Sequence, residues 1–326
     1  MNYSTLQEHH LIGLLPCPLK VPFESFLTSY VQGDKGGNLR YFIKSNANTQ
    51  FDFFPYLKEC QEIEEIPDMM IAPGFSYFFH QEFRERFVDK GYFQSVGRKE
   101  KNPSLGKLPL QDPEGHYTIL CFNPTVMLVD RTNHPDMPLP KRWKDLLRPE
   151  YERSVAIRGH QHRDFCEGIL LNMYKEHGEE AVRKLGKAVK VGLHPAEMVK
   201  LAGSGRSDAP KISAIPYSFS KLIRPKKNVS VIWPEDGAIV NPMVMMVKSN
   251  TSSEVNKLAE FLAEKEIGTF FSEAFFPSYH PLVDNGLPKE STFKWLGWEF
   301  LREKDIAQLT TELEEVFLEE YWEGRK

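Results

Sequence analysis

Asn123-Pro124-Thr125-Val126-Met127-Leu128-Val129-Asp130 and, far along the chain, Asn241-Pro242-Met243-Val244-Met245-Met246-Val247-Lys248 are two versions of one string. Each opens on Asn-Pro and continues as an apolar run of strand length. Proline has no N–H to donate to a ladder, so each copy is expected to begin a strand at its Pro. The flanking residues do not repeat, which argues against duplication of a whole unit. Two buried strands can share such a run by chance; read as a pair, they leave and re-enter one structural place. That reading predicts an insertion, with two lobes joined by two crossover strands in the manner of a hinge over a cleft. The expected division is residues 1–125 plus 241–326 for a discontinuous first lobe and 126–240 for the second. Hinge strands are expected near 123–130 and 241–248.

The 326 residues suit two domains at roughly 150 residues each. Apolar content of 41% with 26% charged residues is that of a globular chain. A net charge of -4 carries none of the basic excess of a general nucleic-acid or anionic-membrane binder. No run approaches the ~18 apolar residues of a membrane span. The stretch Leu11-Ile12-Gly13-Leu14-Leu15 is cut by Pro16 and no Lys or Arg precedes it, unlike a secretory leader. As it stands the chain reads as cytoplasmic; had a leader been removed ahead of it, it would be periplasmic or otherwise extracytoplasmic. Cys17, Cys60, Cys121 and Cys166 are widely spaced with no Cys-x-x-Cys pair, so neither a zinc knuckle nor a disulfide framework is expected.

Strand and helix alternate through the first third. Strands are expected at 11–15, 39–44 and 68–72, with helices at 22–30, 54–62 and 80–90, a βαβαβ grammar that favours a parallel sheet flanked by helices. Between the echoed strings the grammar restarts. A short helix at 141–147 leads to a strand at 154–157, helices at 164–177, 179–186 and 196–203, and a strand at 212–216. Amphipathic helices are expected at 253–266 and 306–321.

Several strings occur in an order that resembles a known family. They are Met69-Met70-Ile71-Ala72-Pro73-Gly74, Trp143-Lys144-Asp145-Leu146-Leu147-Arg148-Pro149-Glu150-Tyr151, Ile157-Arg158-Gly159, Ile215-Pro216-Tyr217, Trp233-Pro234-Glu235-Asp236-Gly237-Ala238 and Pro277-Ser278-Tyr279-His280-Pro281. In this order, from about Leu11 to Pro288, they are similar to the bacterial solute-binding proteins of ABC importers, in particular the ferric-iron and polyamine branch with the type 2 periplasmic-binding fold. The resemblance implies two α/β lobes, each a mainly parallel sheet flanked by helices, two crossover strands, and a monomer that closes on a ligand. Ferric-binding members typically present two adjacent tyrosines where this chain has Pro216-Tyr217-Ser218-Phe219, so a single phenol remains for a hard ion that wants several anionic oxygens.

In open α/β sheets ligands bind outside the carboxyl ends of strands, which makes the loops there the candidate walls. On that ground the candidate ligand-binding residues are Cys17, Ser45, Asn46, Gly74, Phe75, Ser76, Arg158, Gly159, His160, His162, Tyr217, Ser218, Glu235 and Asp236. Tyr77 and His80 are further acidic-oxygen or imidazole donors near the third loop. Gly74 and Gly159 would let backbone amides approach a ligand, and helix starts after the loops favour an anion. The run Arg158-Gly159-His160-Gln161-His162-Arg163 offers guanidiniums for an anion, and His160 and His162 with Tyr217 form a candidate metal set. The same residues would also solvate a helix start, and Pro234-Glu235-Asp236-Gly237 is also ordinary turn chemistry.

These features predict a non-catalytic protein that captures a small polar, anionic or metal-containing ligand for an ABC importer permease, with iron among the candidates. No resident cofactor is called for; a metal ion or metal chelate would be cargo. Nucleic acid and an integral membrane position are not expected. Two alternatives stay open, an intracellular ligand sensor or metal-delivery protein on the same fold, and an enzyme using Cys17 or the His160/His162 pair. No glycine-rich phosphate loop or metalloprotease helix supports the enzyme.

Overall fold

Pro124 and Pro242 do not begin their strands; they lie inside them. The computed structural model describes residues 4–33, 37–46, 53–97, 100–160 and 165–323. In it the strands are, in chain order, β1 (Leu11–Leu15), β2 (Tyr41–Ser45), β3 (Met69–Pro73), β4 (Phe93–Gln94), β5 (Thr118–Asp130), β6 (Val155–Arg158), β7 (Val189–Leu193), β8 (Ile212–Pro216), β9 (Val229–Ile232), β10 (Ala238–Lys248) and β11 (Phe293–Lys294). β5 and β10 pass straight through their prolines, which corrects the expectation of Pro-initiated strands. The physical reason is a change of partner at that point. Before the proline, β10 pairs with β11 through Ala238 and Ile239; after it, Met243 to Val247 run antiparallel to β3. Likewise β5 pairs with β8 only from Thr125 onward, while Phe122 donates its N–H to Pro277 O at 3.1 Å. A residue without an N–H fits the joint between two ladders.

The chain divides into two compact units at these joints. Unit 1 comprises Met1–Phe122, Pro242–Gly286 and Gly297–Lys304; unit 2 comprises Asn123–Asn241, Leu287–Leu296 and Asp305–Lys326. Leu287–Leu296 and the terminal segment thus group with unit 2, whereas the sequence-based expectation places all of 241–326 in the first lobe. Packing explains the difference. The helix Ile306–Trp322 lies on the helices Glu179–Ala188 and Glu167–His177, with Phe317 and Tyr321 against Phe165.

In unit 1 the sheet order is β2-β1-β3-β10, with β1, β2 and β3 mutually parallel and β10 antiparallel. The expected strands at 11–15, 39–44 and 68–72 are all present within two residues of their bounds. The helix Cys17–Gln32 starts earlier than the expected 22–30, since Pro18 suits a first turn. It buries Leu19, Phe23, Leu27 and Tyr30 at helical spacing, although Pro22 forfeits a hydrogen bond within it. Residues 80–90 form one short helical turn, Gln81–Phe83, followed by the π-helix Arg84–Val88, closed by the Asp89 N–H on Arg84 O at 2.9 Å. The expected single helix at 253–266 is two, Ser253–Leu262 and Lys265–Glu273. Leu11, Leu15, Phe23, Met69, Ile71, Met245, Val247 and Phe271 form the core beside this sheet.

In unit 2 the order is β10-β5-β8-β6-β7, with β6, β7 and β8 parallel and β5 antiparallel to β8. Val126, Leu128, Ala156, Ile215 and Ala238 supply a core. The seam between the helices Glu179–Ala188 and Ile306–Trp322 is tight enough that a Cβ on Gly186 would lie 2.5 Å from Phe317 O. Gly186→Ala is therefore expected to destabilise the protein by about 1–3 kcal/mol through overpacking, read as a lower urea midpoint at unchanged m. An unchanged midpoint would mean that the terminal helix yields freely.

Candidate functional site

In unit 1, three parallel strands end side by side. Leu15 of β1 faces Ser45 of β2 in the register, and the Asn46 N–H caps the pair by donating to Leu15 O at 2.9 Å. Cys17, the first residue of its helix and exposed, has its Sγ 3.1 Å from Ser45 Oγ. Beyond β3, Gly74 takes φ +78°, where a Cβ would be strained, and donates its N–H to Pro242 O at 2.8 Å. Phe75 is buried, and the buried Ser76 Oγ has no hydrogen-bond partner among the described residues. The structure thus brings Cys17, Ser45 and Asn46 together, and sets Gly74, Phe75 and Ser76 at the neighbouring strand end. Tyr77 and His80 pack ring against ring at 5.3 Å. Burial, with the Glu82 carboxylate adding to it, pushes the Tyr77 phenol up to about 12, so at neutral pH it is no anionic oxygen.

In unit 2, Arg158 closes β6 opposite Leu193 of β7, and the Gly159 N–H donates to Leu193 O at 3.3 Å. The Arg158 and His160 side chains are exposed. Among the described residues Arg158 makes no side-chain ion pair or hydrogen bond. His162 lies outside the described residues. At the end of β8, Tyr217 is 4% exposed; its ring meets Trp233 edge-on at 5.3 Å and the Lys221 ammonium at 4.4 Å. Packing therefore accounts for much of Tyr217. Ser218, also buried, sets its Oγ 3.5 Å from Asn123 Oδ1. Among the described residues no three His, Cys, Asp or Glu side chains group as metal donors.

Glu235 and Asp236 stand apart from these strand ends, in a clasp built from two of the quoted strings. The Trp143 N–H donates to the Asp236 carboxylate at 3.2 Å, and Trp143 Nε1 donates to Gly237 O at 2.8 Å. The Glu235 N–H donates to Lys141 O at 2.9 Å, while its carboxylate accepts from Arg142 Nε at 3.2 Å. The buried Lys294 ammonium sits 3.3 Å from Asp236 and also pairs with Glu176. Both carboxylates are thus engaged in holding the turn.

Three further polar residues at or beside these strand ends, His194, Asn123 and Asn241, are not among the sequence-derived candidates. His194 follows β7 and caps the next helix, its Nδ1 accepting from the Ala196 N–H at 3.2 Å. The signal for it was His-Pro-x-Glu after a short alternating strand, Val189 to Leu193. Asn241 donates through Nδ2 to Asn123 O at 3.1 Å and to Thr125 Oγ1 at 2.9 Å.

Residues 64–304 match the family of bacterial extracellular solute-binding proteins. No curated protein matches the chain by sequence. Solved structures with the same fold include a Bordetella ferric binding protein, with 15% identity, TM-score 0.63, and 95% of this chain and 98% of that one covered. The apo ferric ion-binding protein A of Pasteurella haemolytica aligns at 14% identity and TM-score 0.65, over 95% and 96%. The Trichodesmium IdiA (FutA) protein in complex with iron and citrate aligns at 12% and 0.62, over 96% and 100%.

The clasp carries a pH signature. Burial raises the Asp145 carboxyl, but the Lys141 and Arg142 backbone N–H groups and the Arg148 guanidinium outweigh it and hold the group below its ordinary value. A depressed folded value stabilises above the unfolded value, near 3.9, and that contribution is lost as pH falls through the folded one. Asp145→Asn is expected to lower stability at pH 7 and to flatten the loss between about pH 5 and pH 3 in urea titrations. Parallel pH curves for the two proteins would remove Asp145 from the account. Trp143→Phe, which strands the Gly237 carbonyl, is expected to cost about 1–3 kcal/mol.

Proposed function

Because this chain belongs to the family of bacterial extracellular solute-binding proteins, we propose that it is a non-catalytic carrier that captures a small polar, anionic or metal-containing solute for an ABC importer. The observations that carry this reading are polar groups at the carboxyl ends of parallel strands taken unit by unit: Ser76 Oγ in unit 1, without a hydrogen-bond partner among the described residues, and in unit 2 the exposed Arg158 and His160 side chains. The passages of β5 and β10 through Asn123 and Asn241 serve as the hinge strands. Metal, if carried, is cargo. The ferric-binding proteins of the same fold favour iron, whereas the strand ends of this chain supply, among the described residues, the separate buried phenols Tyr77 and Tyr217 in place of a set of anionic oxygens, which suits a chelate better than a bare ferric ion. Four free cysteines, Cys17, Cys60, Cys121 and Cys166, support a second reading, an intracellular ligand sensor on the same fold.

Native mass spectrometry with elemental analysis of protein from its own source identifies the solute, and subcellular fractionation separates carrier from sensor. The solute is expected to raise the thermal midpoint without being turned over. At about 100 times Kd the gain is about 2.7 kcal/mol. His160→Ala is expected to weaken binding while leaving the midpoint of the unliganded protein unchanged, because its side chain is exposed. Conversion of the bound compound to product would defeat the carrier and the sensor alike.

A further inference from the structure

Strand order and register place a single polar row along one edge of unit 2. The order β7-β6-β8-β5-β10, with Arg158 opposite Leu193, β6 parallel to β8 and Thr125 opposite Pro216, sets five chain positions side by side. They are His194, Arg158 with His160, Ser218, Asn123 and Asn241. At the first end the chemistry is cationic or imidazole. Arg158 makes no side-chain ion pair or hydrogen bond among the described residues, and the Glu197 carboxylate accepts from the His194 N–H at 3.1 Å. Toward the other end the chemistry is neutral and two-sided. Ser218 Oγ lies beside Asn123 Oδ1, and Asn241 spends its Nδ2 on Asn123 O and Thr125 Oγ1. Both asparagines are half-buried. Among the described residues the Asn123 amide nitrogen and the Asn241 amide oxygen make no hydrogen bond, which leaves one donor group, with two N–H, and one acceptor group on offer. From β6 to β5 is two strand spacings, about 10 Å.

We propose that the solute is a polyhydroxylated organic anion, its charged group taken by Arg158 and its hydroxyls read by Asn123, Asn241 and Ser218. The assignment rests on the solute-binding reading above and narrows it. A guanidinium matches a phosphate or carboxylate in bidentate fashion. A hydroxyl both donates and accepts, as the free amide nitrogen and oxygen of the asparagine pair require. A bare ferric ion would use neither.

Isothermal titration calorimetry on the intact chain with sorbitol 6-phosphate, gluconate, sorbitol, inorganic phosphate and ferric nitrilotriacetate tests this. One of the two polyhydroxylated anions is expected to bind at least about tenfold tighter than both sorbitol and inorganic phosphate, and which of the two does so separates phosphate ester from carboxylate. Arg158→Gln is expected to weaken that anion by about tenfold or more. Asn123→Ala is expected to weaken it by about fivefold with no effect on inorganic phosphate. If Asn123→Ala unfolds, Ser218→Ala provides the same comparison. Binding of ferric nitrilotriacetate without either anion, or an anion affinity untouched by Arg158→Gln, overturns the proposal. So does silence toward all five probes. A different solute retained in native mass spectrometry would in that case leave the solute-binding reading standing, and an absence of any retained solute would remove both.

Discussion

Two backbone nitrogens that carry no hydrogen set the plan of this protein. Pro124 and Pro242 lie inside long strands, where each would ordinarily forfeit a ladder bond. Here each stands where its strand stops pairing with one neighbour and begins with another, so little is forfeited. β10 exchanges β11 for β3 across Pro242, and the carbonyl that Pro242 keeps still accepts from Gly74. The asparagine ahead of each proline completes the joint, Asn241 bonding the backbone of Asn123. Two of the five crossings between the units fall at these residues.

Motifs that reveal the family need not be motifs that bind. The tryptophan string at Trp143 and the Pro-Glu-Asp-Gly turn at Pro234 are bonded to each other through backbone, indole and carboxylate. Lys294, 7% exposed, is balanced by Asp236 and Glu176. Only the loss of both carboxylates would leave the buried ammonium uncompensated, which is a costly state. A pattern held in place by such costs marks a fold. By contrast, Arg158 and Ser76 Oγ, the candidates for meeting a solute, have no side-chain hydrogen bond among the described residues.

The sequence was readable where periodicity and punctuation agree. β1 and β8 match the expected bounds, and the two-unit plan follows from the Asn-Pro echo. β7 was missed because Val189 to Leu193 follows a helix with no Gly or Pro between them. The prolines misplaced the starts of β5 and β10, since a local rule about donors cannot see a change of ladder partner. The tail was assigned to the wrong unit because amphipathicity shows that a helix buries a face and not which surface receives it. At the site, loops after strands were legible from the alternation of elements. The burial of Tyr217 against Trp233 was not, because residue type gives a phenol's chemistry and not its environment.

The edge of unit 2 also bears on how affinity arises. A single guanidinium facing an anion at ~4 Å is worth about 1 kcal/mol in bulk water and about 4 at the effective dielectric near a protein surface. Exposed Arg158 starts near the lower figure, far from the ~8 kcal/mol of micromolar affinity. The remainder must come from water exclusion and from hydrogen bonds of about 0.5–1.5 kcal/mol each. In the proposed site Asn123, Asn241 and Ser218 add a few such bonds; Asn241 is held in advance by Thr125 and the Asn123 carbonyl, and Ser218 bonds the Asn123 side chain. Preorganisation of that kind reduces the ordering cost of binding. Under the proposal, selectivity lies with the neutral amides and the hydroxyl, while the charge of Arg158 governs capture.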